Sequence, residues 1–68
     1  MQGVKTSSHA QRLLTLAEAS EYLNCALVTV RRLIWAGRLP VVQWDRRQRL
    51  DVRDLEAFVD QNKRREPY

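Results

Sequence analysis

Six arginines fall between residues 27 and 50: Arg31, Arg32, Arg38, Arg46, Arg47 and Arg49, against the single acid Asp45. The chain as a whole carries +4 with a sequence pI near 10.0, so its positive charge is concentrated in this block. Asp51, Asp54, Glu56 and Asp60 against Arg53 make the following stretch acidic. Arginine supplies ten of the twelve cations, which matters because a guanidinium can contact a phosphate or a guanine edge through two parallel hydrogen bonds. A basic stretch is often only a solvated face. Packed into the middle of a very small domain, this one predicts a polyanionic partner.

Other chemistries find little support. Gly3 and Gly37 are the only glycines, so there is no phosphate-cradling glycine loop. His9 is the lone histidine and Cys25 the lone cysteine, which leaves no metal set and no intrachain disulfide. Glu18 and Glu21 share a helix, but Glu18 has a capping role. The expectation is a non-enzyme with no cofactor and no metal. At 68 residues and 8.0 kDa the chain is one small domain, able to bury only about 60% of its unfolded surface. No run approaches the roughly 20 apolar residues that span a bilayer, and MQGVKTSSHA has no signal-peptide core. A cytoplasmic location is expected.

The elements that must position the arginines can be read from capping and periodicity. Residues 1–13 lack periodicity and read as a flexible tail. Thr15 and Glu18 match a capping box, with Leu14 before the cap placed to staple onto Ala19. Leu16, Ala19 and Leu23 then mark one face of a helix at about 16–23, ended by Asn24. Val30, Leu33 and Ile34 form the apolar stripe of a second helix at about 27–36, stopped by Gly37 and Pro40. Only Asn24 to Ala26 separate the two, the spacing of a helix-turn-helix. Leu39 to Trp44 reads as a strand with Val42 and Trp44 on one face, and Asp45 to Gln48 as a turn. Arg49 and Leu50 return as a second strand, giving a hairpin with a cationic tip. Asp51 and Asp54 suggest a capping box for a third helix at about 52–62, with Leu55, Phe58 and Val59 inward. Residues 63–68 form a basic tail. The fold class is mainly α with a small β-hairpin, a domain at 14–62 ordered helix, turn, helix, hairpin wing, helix.

Trp44 is expected in the core, because it alternates with Val42. Tyr22 is read as a packing residue and Cys25 as a buried, inert thiol. Trp35 lies off the apolar stripe. It is either half-buried against the wing or, with Leu27, a contact for another protein.

Leu14 to Ala19, Val30 to Ile34, Ala36 to Pro40, Arg46 with Arg47, and Asp54 to Phe58 together resemble the MerR-like winged helix-turn-helix family. More narrowly, they are similar to small excisionase-type DNA-binding proteins. The resemblance implies a second helix that enters the major groove of double-stranded DNA through Thr29, Arg31 and Arg32, and Val28, one turn before Arg32, is read as a further contact from the same helix. It implies a wing that reaches the adjacent minor groove or backbone through Arg46, Arg47 and Arg49. Arg38, just past the end of the second helix, is read either as a backbone contact or as a cation that favours the helix dipole. It also implies a bacterial or phage protein that binds and bends DNA beside an integrase or recombinase, or else a small transcriptional repressor. A protein-interaction adaptor is the alternative of a different class. The sequence departs from the family at Ala26-Leu27-Val28, where serine and polar residues usually open the recognition helix. Apolar side chains there read only a thymine methyl and groove shape. A monomer that loads cooperatively on DNA follows, with no small-molecule effector.

Overall fold

A computed structural model describes residues 11–65 of the chain. His9 and the rest of residues 1–10, and residues 66–68 of the basic tail, lie outside the described residues. Five elements follow in order: β1 (Leu13–Thr15), α1 (Leu16–Leu23), α2 (Leu27–Trp35), β2 (Arg49–Asp51) and α3 (Val52–Gln61).

Thr15 sets the start of α1. Its Oγ1 accepts from the Glu18 amide at 3.0 Å and its own amide donates to Glu18 Oε1 at 2.9 Å, the expected reciprocal capping box. The helix ends at Asn24, which adopts the left-handed conformation at φ 57°. Around it the Cys25 amide bonds the Ser20 carbonyl and the Asn24 amide bonds that of Glu21. That is a Schellman turn, and it reverses the chain within three residues. Gly37 (φ 77°) repeats the device after α2, with Arg38 N–H to Leu33 and Gly37 N–H to Ile34. Here glycine is required by the backbone alone, since a Cβ at Gly37 would meet nothing within 4 Å.

The core is a cluster of Leu14, Ala19, Val30, Leu39, Leu50 and Leu55, one from each of the five elements and Leu39 from the segment after α2. Leu16, Leu23, Cys25, Leu33, Ile34, Val41, Val52 and Phe58 pack around it. Each fully buried leucine or valine contributes about 1.5–3 kcal/mol from leaving water, so a cluster this small is sensitive to any single loss.

The sheet differs from the expected hairpin. β2 pairs antiparallel with β1, in the register Leu13↔Asp51, Leu14↔Leu50 and Thr15↔Arg49. Leu14 is thus a buried strand residue rather than only a staple. On its other edge β2 meets the expected strand 39–44 at one pair, Val42↔Arg49, with N···O distances of 2.8 and 3.0 Å. The reason is local: Pro40 offers no amide, and the Asp45 side chain captures the Arg47 amide at 2.8 Å, pulling the chain into a turn before more pairs form. Residues 42–49 remain a wing, closed at its base by that pair, and the molecule is a winged helix-turn-helix.

Trp44 is consequently not in the core; it is 65% exposed. Residues 12 and 13, expected within the tail, are fastened down. Arg12 Nε donates to Asp51 Oδ2 at 2.9 Å, and the Val52 amide bonds the Arg12 carbonyl at 2.8 Å. Asp51 Oδ1 meanwhile caps α3 by accepting from the Arg53 amide at 2.9 Å. The partner for that cap is therefore Arg12, not Asp54.

Candidate nucleic-acid interface

Helical geometry divides α2 into two faces. Val30 is fully buried, with Leu33 and Ile34 half-buried beside it, and these hold the helix against the core. Residues 28, 31, 32 and 35 recur at the spacing of one helix face and all are exposed: Val28, Arg31, Arg32 and Trp35. Leu27 flanks that face at 37% exposure. Thr29 is half-buried, turned toward the edge of the face rather than its centre. At the start of α2, Ala26 is the N-cap and makes no side-chain hydrogen bond, so the first amides of the helix have no side-chain cap.

The second set of cations sits on the wing. Arg46 and Arg47 are exposed, and among the described residues neither side chain has an ion pair or hydrogen-bond partner; the same holds for Arg31 and Arg32. Arg49 is different. Its Nη1 and Nη2 reach the two Asp45 oxygens at 3.3 and 3.4 Å, and its guanidinium carbon lies 4.3 Å from the centre of the Trp44 ring. Arg49 therefore braces the wing, while Arg46 and Arg47 are presented by it. The Arg47 amide, and after it the Arg49 side chain, hold the Asp45 carboxyl below its ordinary range. The one acid in the basic block is thus ionised and already partnered.

Arg38 is also engaged. Its Nη2 donates to Asn62 Oδ1 at 3.2 Å and its guanidinium carbon lies 5.3 Å from the Phe58 ring centre, tying the end of α2 to the end of α3. Between the wing and the start of α1 lies an open cleft of about 330 Å3, bounded by Thr15 and Leu16 on one side and by Gln43 and Arg46 to Arg49 on the other.

Two features were not visible in the sequence. The Arg12–Asp51 pair joins residues 39 apart, and no spacing rule signals it. The Trp44–Arg49 contact depends on the turn made by Asp45. No helix of the described residues is long and apolar enough to cross a membrane.

A family model described as a helix-turn-helix domain matches residues 13–63, more than half of the chain. No curated protein and no solved structure matches it. Domains of this type dock on duplex DNA with the second helix of the pair toward the major groove.

Proposed function

The chain belongs to the helix-turn-helix domain family, and from that membership we propose that it is a sequence-selective, non-catalytic DNA-binding protein. It lays α2 in the major groove and its wing on the neighbouring backbone or minor groove. The observation that carries this reading is that four arginines of the 27–50 block have no side-chain partner among the described residues. Arg31 and Arg32 lie on the outward face of α2, and Arg46 and Arg47 on the wing. Phosphate contacts through such groups position a protein, and base-edge contacts give it specificity. Arg31 and Arg32 take both roles, with Val28 reading a thymine methyl and Thr29 at the margin. Arg46 and Arg47 take the backbone, and Arg38 is a weaker backbone candidate because Asn62 and Phe58 already hold it.

Within that reading the protein is a MerR-like, excisionase-type accessory factor that bends DNA beside a recombinase and loads cooperatively as monomers. The ordered resemblance of residues 14–58 supports the role. The apolar opening of α2 supports the cooperativity, since one protomer with so few base-edge donors discriminates poorly. Selection of bound duplexes from random DNA, followed by footprinting and mobility shift under excess non-specific competitor, tests DNA recognition. Circularly permuted fragments then test bending. Selective binding without a bend favours a simple repressor, and no selective binding defeats the proposal.

A further inference from the structure

Trp35 is 91% exposed, the least covered of the large apolar side chains described. A tryptophan on the surface invites the reading of a protein contact, yet its surroundings are cationic. Arg32 and Arg31 precede it by three and four residues on the same helix face, and Arg38 follows just past Gly37. No acidic residue occurs between Glu21 and Asp45. None of these arginines covers the ring: the described cation–π contacts are Arg38 on Phe58 and Arg49 on Trp44. An uncovered indole beside the unpaired Arg31 and Arg32 guanidiniums suits a partner that offers negative charge and flat or apolar surface side by side.

The spacing along α2 narrows the partner further. Val28 and Trp35 are seven residues apart, two turns or about 10.5 Å along the helix, and they share a face with Arg31 and Arg32. The major groove is about 12 Å wide, so a helix lying in it sets both ends of this stripe against the same duplex. At the end of the helix a side chain meets the sugar wall, which presents apolar CH groups beside the phosphates. We propose that Trp35 is a DNA contact, packed on deoxyribose at the major-groove wall beyond the bases reached by Arg31 and Arg32. This rests on the DNA reading above and adds a residue that clasps the duplex rather than a neighbouring protein.

The full chain with Trp44→Phe leaves Trp35 as its only tryptophan and keeps a ring beside Arg49. It is titrated with a labelled duplex that holds one protomer, and with a second duplex that holds two adjacent sites. Anisotropy of the DNA label reports binding, and Trp35 emission with acrylamide quenching reports its cover. The expected result is a change in emission and protection from quencher on the one-site duplex, in step with anisotropy. In the wild-type background, Trp35→Ala is expected to weaken that binding by about tenfold with an unchanged circular dichroism spectrum. Saturating anisotropy with Trp35 still fully open to quencher overturns the inference, as does protection seen only on the two-site duplex, which would place the ring against a second protomer. Absence of any anisotropy change would instead remove the DNA reading itself, and this inference with it.

Discussion

The Arg49 guanidinium is shared between the Trp44 ring, 4.3 Å away, and both carboxylate oxygens of Asp45. Three residues of the wing are thereby held together, and two of the five Arg49 donors are already engaged. Substituting it should act through shape and not through charge count. Arg46→Ala and Arg47→Ala should each reduce the slope of log affinity against log salt by about 0.9. Arg49→Ala should lower affinity while leaving the slope nearly unchanged. Salt titrations of the three variants measure this directly, and equal slope losses for all three would show Arg49 on the DNA.

For the wild-type protein the four unpartnered arginines of the 27–50 block set the scale. Four phosphate contacts give a slope of about −3 to −4 on duplex DNA. Replacing Arg31 and Arg32 should cost selected sites more than random sequence, whereas replacing Arg46 and Arg47 should weaken both, most where a narrow A·T-rich minor groove favours an inserted cation. Competition between selected and random duplexes distinguishes the two pairs.

Core loss should be severe. Leu50 is fully buried in the strand shared by β1 and the wing, and Leu50→Ala should cost about 2–5 kcal/mol. In a domain this small that is much of the folding free energy. Thermal unfolding followed by circular dichroism should show a broad, low transition or none.

The uncapped start of α2 offers the opposite test. Ala26 has the extended backbone of an N-cap but no side-chain acceptor, so Ala26→Ser should stabilise the fold by about 0.5–1 kcal/mol. Thr15→Ala should cost about the same or more at α1, where the capping box is complete. Melting temperatures of the two variants should therefore move in opposite directions.

Acid should loosen the wing and the start of α3 together. Asp45 is held below the ordinary value of 3.8, first by the Arg47 amide and then by Arg49. Asp51 is held below it by the Arg53 amide, with partial burial opposing and the Arg12 side chain assisting. A carboxyl depressed in the folded state adds stability above its unfolded value, and that contribution disappears as pH falls through the lower folded value. Melting temperature should hold between about pH 5 and 7 and decline below about pH 4. Asp51→Asn should start lower at neutral pH and decline less.

The two helices of the motif, the cap of the first and the stops of both could be read in the sequence because each signal is local: Thr15 with Glu18, Asn24, and Gly37 with Pro40. The third helix was plain from Asp51 and from Leu55 and Phe58, although Val59, expected inward with them, is exposed. The sheet was not, because Leu13 and Leu14 are too few residues to show alternation and their partners lie at Leu50 and Asp51. Trp44 misled for a related reason. Its alternation with Val42 was genuine, but a strand reduced to one paired residue no longer decides which way its neighbours face. At the interface the arginine types were legible as a block. Which of them were free was decided by Asp45, Asn62 and Phe58, whose positions depend on the folded chain.

The single pair between Val42 and Arg49 also limits how the wing can move. Arg49 lies on the opposite side of the strand, half-buried against Trp44 and Asp45, while the next residue, Leu50, fills the core. Shifting that strand by one position would exchange them, exposing the leucine and burying the guanidinium. The wing therefore cannot slide along its neighbour to adjust its reach. It can only swing from a fixed pivot, and any fit to a groove of different width must come from the few residues beyond that pivot.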